Sequence, residues 1–226
     1  MQRLYPLPAG PTTAAESYGV ARPSGPQGRP WIATCMISSI DGSTVLAGVS
    51  GGLSSSADRD VLLTLRLIAD MVIVGAGTVR SESYGKPTKA GQRIGVVSNT
   101  GNVDTSTSLF TSGAGFLILP ENAPPTSVES VRAGIDEVDL AAAVRALPGR
   151  PRFVHAEGGP SLNGTLASAD LIDEINLTTS PQVIGGSGPR LMSNAPDLMQ
   201  PFRLVHLLED NGFIFSRYVR QSTGIA

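Results

Sequence analysis

An α/β fold with a mostly parallel central sheet, flanked by helices and extended by antiparallel C-terminal strands, is what this 226-residue sequence predicts. Three observations lead there. Short, nearly continuous apolar runs at Trp31–Ile37, Asp70–Val74 and Phe153–Ala156 have the pattern of strands covered on both faces, as in parallel sheets. A helical apolar period separates the first two runs, so strand, helix and strand follow within about forty residues, the spacing of a crossover between parallel strands. After Ala169 the helical periods stop, and Ile172–Thr178, Arg203–Leu208 and Gly212–Val219 read as strands with no helix between them.

Composition narrows the class further. Apolar residues make up 41%, charged residues 16%, and the formal net charge is -2, with no basic tract of the kind a nucleic-acid-binding surface carries. Cys35 is the only cysteine, which excludes a disulfide framework and a cysteine-based zinc site within one chain. No apolar run approaches the roughly 18 residues of a transmembrane helix. The N-terminus lacks the charged, apolar and cleavable order of a signal peptide, so a cytoplasmic location is expected.

Residues 1–30 are rich in Pro, Gly, Ser and Thr and read as an extended or loosely ordered arm, resting on the body through Leu4, Tyr5 and Leu7. Residues 31–226 read as one domain. Its first strand, Trp31–Ile37, ends in the turn signal Asp41-Gly42. Ser55 with Asp58 resembles a helix cap, and Val61, Leu62, Leu65 and Ile68 form one face of the helix that follows. Asp70–Val74 runs straight into Gly75-Ala76-Gly77-Thr78-Val79-Arg80. Ile94–Val97 and Phe116–Leu119 are short strands, and Asp139–Leu147 is a weaker helix.

Phe153–Ala156 then leads through Glu157, Gly158 and Gly159 into a helix that opens on Pro160 and ends near Ala169. Proline suits the first helical position because its missing N–H has no partner to lose there. Two residues without Cβ let a ligand approach the unbonded N–H groups of a helix start, where phosphate is attracted. The same turn also reads as no more than a tight connection.

The Gly75–Arg80 stretch begins like a dinucleotide fingerprint, but Arg80 stands where its third glycine belongs. Both glycine turns follow buried strands, and ligands of open α/β sheets bind at the carboxyl ends of strands, so the pair can hold one extended nucleotide. His155 and His206 lie inside strand patterns and read as core or edge-strand residues. No nucleophile elbow and no metal-ligand spacing is present, which assigns the difficult chemistry to a bound cofactor. Asp41 and Glu157 each close a strand beside a glycine. Asp41 reads as a turn residue or a functional acid, and Arg66 as a helix-terminal cation or a functional one.

Taken together, Ser38-Ser39-Ile40-Asp41-Gly42, Leu65–Asp70, Val74–Arg80, Glu157–Leu162, Leu171–Glu174 and Pro181–Gly186 resemble the reductase domain of bacterial riboflavin biosynthesis, over roughly Trp31 to Val219. The resemblance implies a dihydrofolate-reductase-like fold and an NADPH-dependent reductase of the 5-amino-6-(5-phosphoribosylamino)uracil type. Hydride would go to C1′ of the opened ribose, and a nearby acid would help by protonating the imine nitrogen. It implies cofactor contacts from Ser38, Gly75, Gly77, Thr78, Glu82, Gly158, Gly159, Pro160, Ser161 and Leu162, with Ser98 at the adenosine 2′-phosphate. Substrate contacts fall to Ser50, Arg66 and Glu157, with Asp41 orienting or protonating the reacting group. No metal is implied, and a homodimer is.

One segment departs from the family. Where it continues with two acidic residues, proline and a Leu-Thr-Val-Arg run, this chain has Ser81-Glu82-Ser83-Tyr84-Gly85-Lys86-Pro87. Lys86 supplies a charge for a substrate phosphate without the bidentate geometry of arginine. Two alternatives follow: reduction of a dihydrofolate-like pterin or other small heterocycle, and NADP binding without turnover. The zinc deaminase that often accompanies this reductase has no ligands here.

Overall fold

Along the chain of the computed structural model, which describes residues 1–221, the first elements are β1 (Gln2–Tyr5), β2 (Gly10–Pro11), α1 (Ala14–Tyr18), β3 (Trp31–Ser38) and α2 (Ser56–Ile68). Next come β4 (Met71–Gly75), α3 (Ala76–Ser81), β5 (Arg93–Val97), α4 (Ser108–Thr111), β6 (Gly115–Leu119), β7 (Ser130–Arg132) and α5 (Leu140–Arg145). β8 (Phe153–Ala156), α6 (Pro160–Ser168), β9 (Glu174–Thr179), β10 (Phe202–Asp210) and β11 (Phe213–Arg220) complete it. Residues 222–226 of the domain read as 31–226 lie outside the described residues.

The strands form one sheet in the order β2-β1-β10-β11-β9-β3-β8-β4-β5-β6-β7. From β9 to β7 every neighbouring pair is parallel, and from β2 to β9 every pair is antiparallel. The predicted class is therefore the observed one. β3 and β4 are parallel but not adjacent, because β8 inserts between them and pairs with both. That insertion brings the Gly158–Gly159 turn beside the carboxyl ends of β3 and β4.

Alternation along the parallel strands supplies two faces. Met71, Ile73, Phe116, Ile118 and Val154 pack with α5 and α6, while Val72, Val74, Ile94, Val96 and Leu117 pack with α3 and α4. Beside the second set, Ala33, Cys35 and Phe153 receive Ala57, Val61 and Leu65 of α2. Each such buried aliphatic side chain contributes about 1.5–3 kcal/mol. Ser55 caps α2 by accepting from the Asp58 N–H at 3.1 Å. Asp58 itself turns away to accept from the Ser54 hydroxyl at 2.6 Å, so the capping arrangement is one-sided.

The first thirty residues are laid onto the body. β1 pairs with β10, and α1 buries Tyr18 edge-on against His206, ring centroids 4.6 Å apart. Arg22 grips Glu174 through Nε at 2.8 Å and Nη2 at 2.7 Å, both side chains fully buried. Arg29 grips Asp173 at 2.6 and 2.9 Å. The C-terminal strands leave no open edge, since β1 covers β10, and β11 lies between β10 and β9.

Candidate active site

The site grows from the end of β8. Glu157 donates its N–H to the Ile73 carbonyl at 2.9 Å, and Gly75 donates to the Gly158 carbonyl at 2.7 Å, so the turn is stitched to β4. Gly158 and Gly159 are joined by a cis peptide, and both are closely enclosed. A Cβ on Gly158 would meet Met36 Sδ at 2.7 Å with φ at +80°, and one on Gly159 would meet Thr78 Oγ1 at 2.7 Å. Gly159 is the N-cap of α6 and offers no capping side chain, and Pro160 follows it. The first turn of α6 therefore presents N–H groups that its own chain does not satisfy.

Two cavities meet at this turn. One, on the α2 side, has a volume of about 470 Å³ and is walled by α2, the 82–88 segment and Glu157. The other, on the α6 side, measures about 520 Å³ and runs past Gly75–Thr78, Ser98–Thr100 and the start of α6. Thr78, Gly159 and Pro160 line both, as do Val45 and Gly48 of the loop after β3. One elongated ligand on the α6 side can thus present its end to a second ligand on the α2 side.

At the floor of the α2-side cavity lies Glu157, with 3% of its side chain exposed. Arg66 forks onto it, Nε to Oε1 at 2.5 Å and Nη2 to Oε2 at 2.6 Å. The Tyr84 hydroxyl donates to Oε2 at 2.6 Å, and the Arg66 guanidinium lies 5.5 Å from the Tyr84 ring centroid. Burial works to raise the Glu157 carboxyl, but the donors Arg66 and Tyr84 hold it below the usual carboxylate value. His155 Nδ1 lies 3.5 Å from Oε1, and burial pushes the imidazole down to about 4, so it is neutral near pH 7. Glu157 is accordingly a fixed anion.

The predicted site residues separate into groups. Gly75, Gly77, Thr78, Ser98, Gly159, Pro160, Ser161 and Leu162 all line the α6-side cavity. Ser50, Arg66, Lys86 and Glu157 all line the α2-side cavity. Glu82, read as a cofactor contact, lines the α2-side cavity instead, where its Oε1 accepts from the Ser50 N–H at 3.2 Å and hydroxyl at 2.9 Å. Ser38 and Gly158 line neither. The Ser38 carbonyl accepts from the Ser180 N–H at 2.8 Å, and Gly158 holds Gly75.

Asp41 also lines neither cavity. Its carboxylate accepts from the Ser39 hydroxyl at 2.6 Å, the Ile184 N–H at 3.1 Å and the Gly185 N–H at 2.7 Å. These donors, the Ser39 hydroxyl foremost, lower it to about 2. Such a group has no proton to give near neutral pH, and it ties the 39–53 loop to the connection after β9. Tyr84 and Arg80 are cavity residues that the sequence reading did not assign. The only signal for Tyr84 was a lone aromatic inside a Gly- and Ser-containing departure segment.

Among the described residues no group of three or more His, Cys, Asp and Glu side chains is placed to hold a metal ion. Comparisons with known proteins agree with the fold. Residues 30–212 match the family model described as RibD C-terminal domain. The chain is 25% identical over 183 residues to a 2,5-diamino-6-ribosylamino-4(3H)-pyrimidinone 5′-phosphate reductase of Methanothermobacter thermautotrophicus, covering 73% of this chain and 83% of that one. A pyrimidine reductase-like protein from Corynebacterium diphtheriae superposes with a TM-score of 0.80 at 26% identity, covering 93% of this chain and 100% of that one. Two more distant structures bear on the fold alone. Acinetobacter baumannii RibD has a TM-score of 0.70 at 19% identity over 87% of this chain, which spans 59% of that one. Dihydrofolate reductase from Enterococcus faecalis has a TM-score of 0.54 at 12% identity, covering 87% and 98% of the two chains.

Proposed function

The chain belongs to the RibD C-terminal domain family, and from that premise we propose that it is an NADPH-dependent oxidoreductase of riboflavin biosynthesis acting on a phosphorylated ribosylaminopyrimidine. The observation that carries this reading is the meeting of two cavities at Thr78, Gly159 and Pro160, with an ionised Glu157 in the wall of one. The start of α6, which has no capping side chain, and the Gly75–Thr78 turn line the α6-side cavity together, and helix N–H groups so placed suit the pyrophosphate of a dinucleotide. NADPH, when bound, supplies the hydride that reduces C1′.

The chain's own side chains do the rest. C1′ of the opened sugar accepts hydride best when its nitrogen carries a proton, and a positive charge at that nitrogen is stabilised by a nearby anion. Glu157, kept deprotonated and oriented by Arg66 and Tyr84, is that anion and not the proton donor. Lys86 and Arg59 line the same cavity and supply positive charge for the ribose 5-phosphate. The Ser50–Glu82 clasp fastens the 39–53 loop to the wall of the same cavity.

We propose a cytoplasmic location, on the likeness to a biosynthetic reductase. We propose a homodimer, with the exposed Val183, Leu198 and Met199 of the connection between β9 and β10 as the apolar contact. Sedimentation of the Met199→Glu variant tests it, and an unchanged dimer would move the interface elsewhere.

The deciding assay follows NADPH oxidation with the 2,5-diamino-pyrimidinone and 5-amino-uracil ribosylamine phosphates, and with dihydrofolate. Turnover of a ribosylamine phosphate is expected. Turnover of dihydrofolate alone points to the pterin alternative, and NADPH binding without any turnover points to a non-catalytic protein.

A further inference from the structure

The amide of Gln92 lies in the wall of the α2-side cavity, and no role assigned so far uses it. Gln92 directly precedes β5 and is 4% exposed. Its Nε2 donates to the Arg66 carbonyl at 2.6 Å and to the Ala69 carbonyl at 3.0 Å. Carbonyls only accept, so these two contacts fix which end of the amide is nitrogen. Both N–H groups are thereby used. Oε1 has no hydrogen-bond partner among the described residues, yet it is not sealed in the interior, so it opens on the cavity.

The donor half of this side chain has a structural explanation. The last carbonyls of a helix lack partners within it, and Gln92 satisfies two at the end of α2. A cation does that equally well, and Lys89 Nζ already donates to the Ala69 carbonyl at 2.7 Å. The helix end does not explain the acceptor half. Arg59, Leu62, Leu63 and Arg66 line the cavity along α2. From Arg59 to Arg66 the helix rises about 10 Å. Gln92 sits at the Arg66 end, with Arg59 at the other. An elongated ligand whose phosphate lies toward Arg59 therefore brings its opposite end, the heterocycle, to Gln92.

We propose that Gln92 is a specificity-determining residue whose Oε1 accepts a hydrogen bond from an exocyclic amine of the heterocycle. This deepens the reductase reading and rests on it for the ligand. The two candidate ring systems differ at ring position 2, which carries an amine in the 2,5-diamino-pyrimidinone and an oxo group in the uracil. An amine donates to a fixed acceptor. An oxo group in its place sets two acceptors against each other and leaves both unpaired in a buried wall. Gln92 cannot adapt by turning its amide over, because Oε1 would then face the Arg66 and Ala69 carbonyls. The chain therefore selects the diamino ring over the uracil.

The test is calorimetric titration of the full-length protein with the two ribosylamine phosphates and with the analogue that carries hydrogen at ring position 2. NADPH oxidation is followed in parallel. The wild type should bind the diamino form about 10- to 100-fold more tightly than the uracil form, with the hydrogen analogue between them. Gln92→Leu should bring the first two affinities together, and Gln92→Glu, which keeps an acceptor on the same stem, should retain the diamino preference. A residue that only holds the end of α2 would instead weaken both ligands alike and lower the melting temperature. Equal affinities in the wild type, or an unchanged ratio in Gln92→Leu, overturn the proposal. Where Gln92→Leu does not fold, the wild type decides: a hydrogen analogue bound as tightly as the diamino form overturns it. Because binding is read without turnover, a Gln92-dependent preference with no NADPH oxidation overturns the reductase reading alone. Turnover of both ribosylamine phosphates with no preference overturns the Gln92 assignment alone.

Discussion

Tyr84 donates its phenolic proton to Glu157 Oε2 at 2.6 Å, joining the segment where this chain departs from its family to the residue that follows β8. Tyr84→Phe keeps the ring over Arg66 and removes only that donor. A hydrogen bond to a charged, buried acceptor of this kind contributes about 1–3 kcal/mol, so the urea midpoint should fall accordingly. Glu157 has its folded-state value depressed, so its contribution to stability is present above the ordinary carboxylate range and is lost as pH falls through the folded value. Losing a donor moves that folded value upward. The acid limb of the pH–activity profile should therefore shift to higher pH in Tyr84→Phe, and an unmoved limb would separate Tyr84 from Glu157 ionisation.

Asp41→Asn should leave the shape of the pH–rate profile unchanged, because a carboxyl lowered to about 2 titrates below any working pH. Asp41→Ala removes the acceptor of the Ile184 and Gly185 N–H groups, and proteolysis between residues 182 and 190 should become faster. The appearance of a new limb near neutral pH in Asp41→Asn would restore this residue as an acid or base.

Gly159→Val should weaken NADPH binding with the core folded. A Cβ there stands 2.7 Å from Thr78 Oγ1, and the two added methyl groups enter the wall shared by both cavities. Affinity should drop by at least about tenfold, the change that roughly 1.4 kcal/mol of lost contact produces. Fluorescence titration checks it, with circular dichroism as the folding control.

Lys86→Ala should raise KM for a phosphorylated ribosylaminopyrimidine by about tenfold and leave kcat nearly constant, as expected for lost uniform binding. The unphosphorylated ribosylamine should show little difference between variant and wild type. Equal effects on both would assign Lys86 to the shape of the wall in place of the phosphate.

Much of the fold was legible because its signals are local. Trp31–Ser38, Ser56–Ile68 and Pro160–Ser168 carry their own apolar periods, a Ser55 cap and a proline start. The first thirty residues were not legible, because long-range partners hold them. Arg22 finds Glu174 and Tyr18 finds His206, and no nearby residue hints at either. At Asp41 the Asp-Gly pair announces a turn and Ser39 is a local donor, while two further donors to its carboxylate come from residues 184 and 185. Glu82 was placed by family position, and only the coordinates show Ser50 holding it in the α2-side wall. The glycine turns were readable in kind because a missing Cβ is written in the sequence itself.

Val45 and Gly48 line both cavities, and their loop is fastened at one end by Asp41 and at the other by the Ser50–Glu82 clasp. A ligand that orders this loop from one side lowers the entropy still to be lost when the other side fills. The two affinities are then linked by a single coupling factor, and linkage makes it the same in both directions. Dinucleotide affinity measured with and without a bound pyrimidine should change by the ratio that pyrimidine affinity changes with and without dinucleotide.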